Sequence, residues 1–381
     1  MSPALHAIAA DVVFDGEAVH RRAAVILAGD SIVAVVPDTE VPAGASIERL
    51  EAGAWVAPGF IDVQVNGGGD VLFNDALDPE SIATIAAAHR RFGTTSLLPT
   101  LITDRPDKLQ AGIEAVDRAV RSSPSVLGIH IEGPFISPQR PGVHDPAAIR
   151  RPGPADLALL TSLEGAVTLV TLAPEEVPPG FIASLVDAGV RVSLGHSMAT
   201  YEQTRAALGE GLTGFTHLFN AMRPLSSRDP GPIAAALETP ECWYGLIVDG
   251  EHVDPAMLRL ALRGVGRPML VTDAMPPVGG MRKTFSLYGE EIAVRDGRCV
   301  RSDGTLAGAA LDMASAVRNA VRLLGIALPR ALHMASTAPA DFLGLGQRLG
   351  RLKPQARADL VALDPEEVRV LRTWVAGAAS P

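Results

Sequence analysis

The chain has 381 residues, 47% of them hydrophobic and 20% charged, with a formal net charge of −10. This is a globular composition, and its acidic balance excludes a general nucleic-acid binder or a protein of anionic membrane surfaces, since both need a basic face. An anionic small molecule would need cations gathered locally. Cys242 and Cys299 stand far apart with no His or Cys motif beside them, which suits a reducing compartment, so the cytoplasm is the expected address. The first residues show no basic-then-apolar leader, and no apolar run approaches the ~20 residues of a membrane span.

In chain order, "HAIAADVVF" and "AAVILAGDSIVAVVP" are β-branched runs broken as in a hairpin. At the other end "ADLVALDP" and "EVRVLRTWVAG" alternate well enough to pair with them. Residues 1–57 together with 350–381 are therefore expected to form one small β-sandwich domain. From Gly59 onward short apolar strands alternate with amphipathic helices. Strands are read at "GFIDVQVNG", "TTSLLPT", "SVLGIHIEG", "VTLVTLAPE", "VRVSLGHS", "GFTHLFN", "WYGLIVDG" and "PMLVTDAM". The first helix has Asp78 as a cap, Pro79 in its first turn and Gly93 beyond its end. Eight such units predict an α/β protein with a (β/α)8 TIM-like barrel over 58–349, carrying an inserted hairpin near 283–305. A doubly wound sheet is the structural alternative, but no glycine-rich dinucleotide loop of the required form follows the first strand.

In such barrels catalytic side chains come from the C-terminal ends of strands. Along the first strand Asp62, Gln64 and Asn66 fall on one face, a polar row where core is expected. Glu132, His196 and His217 fall at the ends of strands three, five and six. Two imidazoles and one carboxylate are the donor set of a catalytic zinc site with a fourth position open to water. Singly, each His reads as a satisfied core imidazole and Glu132 as half of a buried ion pair; their shared placement at strand ends favours a site. Asp273 sits in the apolar run "LVTDAM", which would not bury a lone carboxylate without a partner. Zinc can bring the pKa of a bound water to about 7, and a nearby carboxylate can take that proton and later give it to a leaving amine. That combination suits amide hydrolysis.

The motifs "PGFIDVQVNGGG", "HIEGPFI", "GVH", "LGHSMATYEQ", "THLFNAMRPL", "RDPG", "VDGEHV", "LVTDAM" and "LAGA" together make the chain resemble the N-acetylglucosamine-6-phosphate deacetylases of the amidohydrolase superfamily over nearly its whole length. The resemblance implies hydrolysis of N-acetyl-D-glucosamine 6-phosphate to D-glucosamine 6-phosphate and acetate, in amino-sugar catabolism. It implies Glu132, His196 and His217 as metal ligands, Asp273 as acid/base and His144 as an oxyanion donor. Around the sugar phosphate it places Val143, His144, Asn220, Ala221, Arg228, Asp249, Gly250, Glu251, His252, Leu306, Ala307 and Gly308. It also implies a homodimer in which Arg228 reaches the neighbour's site. Many amidohydrolases carry His-x-His at the end of strand one and bind a second metal there. Here that place reads Gln64-Val65-Asn66, and amides are poor zinc ligands. One divalent metal per subunit, zinc first among the choices, is therefore expected, with Gln64 and Asn66 in supporting roles. Another amidohydrolase activity, such as that of a D-aminoacylase or cyclic-amide hydrolase, and a non-enzymatic barrel are the alternatives.

Overall fold

A computed structural model describes residues 4–380. Its eight parallel barrel strands run β1 (Phe60–Val65), β2 (Thr94–Ile102), β3 (Gly128–Glu132), β4 (Val167–Leu172), β5 (Arg191–Leu194), β6 (Gly214–Phe215), β7 (Trp243–Leu246) and β8 (Arg267–Leu270), each beside the next. The ring closes where the chain beyond β8 meets the end of β1. The Asp273 N–H donates to the Gln64 carbonyl (3.1 Å) and the Asn66 N–H to that of Ala274 (2.9 Å). Strand residues Ile61, Val63, Leu98, Ile129, Val170, Val192, Leu246 and Leu270 belong to one continuous buried core. A parallel barrel covered on its outside by helices requires such near-continuous apolar strands.

The wrapping helices begin where local chemistry predicts. The Asp78 side chain accepts from the Ser81 N–H (2.8 Å) to open Pro79–Arg90. Thr200 and Gln203 form a reciprocal capping box before Tyr201–Gly209. Asp312 caps Met313–Leu324, which stops at the left-handed Gly325. Each cap satisfies an N–H that the helix cannot, contributing about 1 kcal/mol.

Strands from both chain ends share a separate mixed sheet. Leu5–Phe14 pairs antiparallel with Val19–Ala28, and its other edge is divided between Ser46–Arg49 and Trp55–Pro58. Trp55–Pro58 joins it to Leu360–Asp364 from the C-terminal segment. Hydrogen bonding is thus continuous through one sheet that branches at its first strand, around a core that includes Ile8, Val25, Leu360 and Trp374.

Two expectations are corrected in detail. The insertion is more than a hairpin. Thr284–Leu287, Glu290–Arg295, Arg298–Val300 and Leu306–Ala309 form a four-stranded antiparallel sheet, and its last strand docks beside Asp273 through the Ala309 N–H to Asp273 carbonyl bond (2.9 Å). The strand ladders also stop short of the functional residues. β5 ends at Leu194, β6 at Phe215 and β8 at Leu270, so His196, His217 and Asp273 lie beyond them. Among the described residues no helix is long and apolar enough to cross a membrane.

Candidate active site

Beyond those strand ends the backbone turns left-handed. His196, His217, Ala221 and Asp273 have φ of 48°, 31°, 49° and 52°. Non-glycine residues rarely adopt this conformation, and where it persists the surroundings impose it, commonly at functional sites. The turns aim side chains from three different strands at one point. Gly195 makes the His196 turn possible, because a Cβ there would lie 2.5 Å from Thr171 Cγ2 and 3.1 Å from Thr216 Cβ.

At that point Glu132, His196 and His217 converge, all buried. Glu132 Oε1 lies 2.9 Å from His217 Nε2 and 3.2 Å from His196 Nε2, and the two Nε2 atoms are 3.1 Å apart. Ligands about 2.0–2.1 Å from a tetrahedral zinc stand roughly 3.3 Å from one another. The triangle is nearly that size, so the three donors fit one such cation. His196 Nδ1 donates to the Arg140 carbonyl (2.8 Å), which leaves Nε2 as the free lone pair. Burial alone would push the Glu132 carboxyl up, but the two imidazoles overcome it and hold that carboxyl well below the usual range. Burial likewise works against a charged His217, and Glu132 more than offsets it, raising the imidazole.

Asp273 is held across the amides of the first strand. Asn66 Nδ2 donates to Asp273 Oδ1 (2.7 Å); Gln64 Nε2 bridges Asp273 Oδ1 (3.2 Å) and Glu132 Oε2 (3.1 Å). A bridging donor here separates two carboxylates that repel in a dry site. Burial, then the Glu132 charge, raises the Asp273 carboxyl, with His217, His252 and Asn66 acting the other way. Asp62, first in the polar row, is not part of the cavity lining. It binds the Thr272 hydroxyl (2.5 Å) and N–H (3.3 Å) at the barrel closure, and burial pushes its carboxyl up to about 7.

Above the cluster lies a cavity of ≈ 250 Å³. Of the sequence-predicted residues, Asn66, Glu132, Val143, His144, His196 and His217 line it, as do Asn220, Ala221, His252, Asp273, Leu306 and Gly308. Gly308 sits at φ 62°, and a Cβ there would meet Met275 Cγ at 2.5 Å and the Asp273 carbonyl at 3.0 Å. Six predicted residues fall outside the lining. Gln64 lies beneath it, and Ala307 packs with Cys299 and Leu287 on the inserted sheet. Asp249 turns back on its own loop, accepting from the Glu251 and His252 N–H groups (both 2.9 Å) and from His252 Nδ1 (2.6 Å), so only His252 of the 249–252 turn reaches the cavity. Arg228 is exposed on the loop after Met222, away from the wall. Sequence reasoning missed Ile102, Gly142, Ile247, Met275 and Thr305 in the lining; these carry no chemical signature that a pattern could flag. It also missed Thr103, which binds His144.

The comparisons agree with this geometry. The model described as "Amidohydrolase family" matches residues 55–379. An N-acetylgalactosamine-6-phosphate deacetylase of Shewanella sp. is 44% identical over 86% of this chain and 84% of its own. An N-acetylglucosamine-6-phosphate deacetylase of Haemophilus influenzae is 34% identical over 96% and 97%. The crystal structure of N-acetylglucosamine-6-phosphate deacetylase from Pasteurella multocida superposes with a TM-score of 0.95 at 34% identity, covering 99% of each chain. With a barrel whose strand ends gather Glu132, His196 and His217, and with relatives of this similarity along its length, the chain belongs to the amidohydrolase family.

Proposed function

We propose that the protein is a metal-dependent hydrolase that removes the acetyl group of N-acetyl-D-glucosamine 6-phosphate, giving D-glucosamine 6-phosphate and acetate. The observation carrying the reading is that one buried cluster, Glu132 with His196 and His217, is tied to the carboxylate of Asp273 through Gln64, while Asn66 holds the same Asp273 oxygen. The relatives' printed substrates support the choice of an N-acetylhexosamine phosphate.

A single divalent cation, best matched by zinc, is assigned to Glu132, His196 and His217. When bound it supplies a Lewis acid for the amide oxygen and acidifies a water. The chain's residues supply the proton handling and the orientation. Asp273, with its carboxyl raised, would take a proton from the attacking water as the water oxygen bonds to the amide carbon, and would give it to the amine nitrogen as the C–N bond breaks, releasing acetate and the free amine. His144 donates to the carbonyl oxygen as it gains charge. Asn66 and Gln64 keep the Asp273 carboxylate aimed. His252, oriented by Asp249, together with Asn220 and an Arg228 brought from a second copy in a homodimer, accounts for the 6-phosphate in an otherwise acidic protein. The cytoplasm is the proposed location.

A second reading has its own observation. The 44% identical relative is named for the galactosamine epimer, and the two sugars differ only in configuration at C4. Acetate release from both 6-phosphates and from both unphosphorylated sugars, with metal content measured on the same sample, tests the proposal. The expected result is turnover of the phosphorylated glucosamine derivative at about one metal equivalent. Faster turnover of the galactosamine epimer would transfer the assignment to it. Turnover indifferent to the phosphate, or none on either epimer with the metal site filled, would overturn it.

A further inference from the structure

His144 can stabilise the carbonyl oxygen only if the nitrogen facing the substrate carries a hydrogen, and the structure shows what decides this. The ring is buried on the cavity wall, its centroid 4.3 Å from that of His196. Its Nδ1 faces Thr103, just past the end of β2. The Thr103 N–H is directed at Nδ1 (3.3 Å) and the Thr103 Oγ1 lies 2.6 Å from it. A backbone N–H cannot reverse its polarity. A hydrogen on Nδ1 would point at it, so Nδ1 accepts, the Thr103 hydroxyl turning its hydrogen to Nδ1 at 2.6 Å in preference to the Glu132 carbonyl at 3.4 Å, and Nε2 carries the hydrogen of the neutral ring.

Thr103 is itself held on several sides. Tyr288, from the turn between the first two strands of the inserted sheet, donates its hydroxyl to the Thr103 carbonyl. Gly133 packs so closely that a Cβ on it would lie 2.1 Å from Thr103 Oγ1. Asn74 clasps the preceding residue, donating to the Ile102 carbonyl (2.9 Å) and accepting from its N–H (3.1 Å). The peptide unit that reads His144 is therefore fixed by the loop after β1, the loop after β3 and the inserted sheet together. A preorganised donor lowers a barrier because nothing has to reorient as charge develops.

We infer that Thr103 is a positioning residue of the active site, fixing His144 as the Nε2–H tautomer whose hydrogen is presented to the substrate carbonyl oxygen. This rests on the proposed deacetylation only for the role of His144; the tautomer is a property of the protein. Neutral imidazole donors of this kind serve as electrophiles at other carbonyl-activating sites.

The test uses zinc-loaded protein, with Thr103→Val and Thr103→Ser, and two independent readouts. In ¹⁵N spectra of histidine-labelled protein at neutral pH, with His144 assigned by its absence in His144→Gln, wild type should show an unprotonated Nδ1 and a protonated Nε2. In kinetics, Thr103→Val keeps the backbone N–H that sets the tautomer but loses the 2.6 Å Oγ1 contact that aims the ring, so it should lose about tenfold in kcat with KM within about twofold, as expected when a group orienting an active-site imidazole is removed, and Thr103→Ser should restore it. A protonated Nδ1 in wild type, an unchanged kcat in Thr103→Val, or a serine variant as impaired as the valine variant would each overturn the inference. If wild type turns over neither sugar phosphate, the functional reading fails while the nitrogen spectrum still decides the tautomer.

Discussion

Replacing Asn66 by leucine keeps the branched outline of the side chain and removes one donor to Asp273, the proposed acid/base. In the native site Asn66 Nδ2 gives the 2.7 Å hydrogen bond to Asp273 Oδ1, while its own Oδ1 is buried with no hydrogen-bond partner among the described residues. A hydrogen bond to a charged acceptor contributes about 1.5–3 kcal/mol. At about 1.4 kcal/mol per pKa unit, losing it favours the protonated carboxyl by roughly one to two units. Gln64, 3.2 Å from the same oxygen, remains, so the group is weakened rather than stripped. The sign is fixed by the role: Asp273 must be ionised to accept a proton, and burial and Glu132 already raise it. The acid limb of kcat/KM against pH, followed by acetate release from metal-loaded protein, should therefore move to higher pH by about one to two units, with metal content unchanged. An acid limb that stays in place or moves to lower pH, at full metal occupancy, would refute the assignment of Asp273 as the base held by Asn66.

Asp273→Asn keeps the shape but not the proton acceptor, and should lower kcat by about 10²–10⁴ while metal analysis stays at wild-type level; near-normal turnover would remove Asp273 from the reaction. Chelation should abolish activity, restoration with zinc should recover it, and the thermal midpoint should rise with free metal because the folded state alone assembles Glu132, His196 and His217. A metal-independent midpoint would contradict that cluster as the ligand set. Asp62 is pushed up to about 7 by burial, well above its ordinary 3.8, so the folded state binds the extra proton between these values. Its stabilising contribution is complete below about 3.8 and is lost as pH rises through about 7. Asp62→Asn, which mimics the protonated form, should become more stable relative to wild type between pH 4 and pH 8, by up to about 4 kcal/mol in denaturant unfolding. A pH-independent difference would show that Asp62 is ionised throughout.

Much of this molecule is legible locally. Asp78 before Pro79, Thr200 with Gln203, and Asp312 before the helix ending at Gly325 mark helix boundaries that need no tertiary information, because a cap is a contact between residues two or three apart. The apolar runs of the barrel strands are equally visible. Where local reading fails, distant contacts decide. The apolar pattern predicts a strand through "GFTHLFN", yet β6 stops at Phe215 and His217 turns left-handed with its ring aimed at Glu132. Of the Asp249–His252 turn that the resemblance implies around the sugar phosphate, His252 lines the cavity, while Asp249 satisfies its own loop's N–H groups.

Local sequence encodes the alternation that makes a barrel, the helix starts and stops, and the residue types of the candidate site: two imidazoles and a carboxylate at strand ends, an aspartate in an apolar run, amides in place of imidazoles on the first strand. These follow from period, capping and the cost of burying charge, all of which act over a few neighbours. It takes the fold to bring donors 64 and 85 residues apart within 3.2 Å, to set Gln64 between two carboxylates, to hold Asp62 at the closure and to place Thr103 against His144. Those contacts exist only because a closed parallel barrel brings the C-terminal ends of all its strands to one mouth, a juxtaposition that no local spacing encodes.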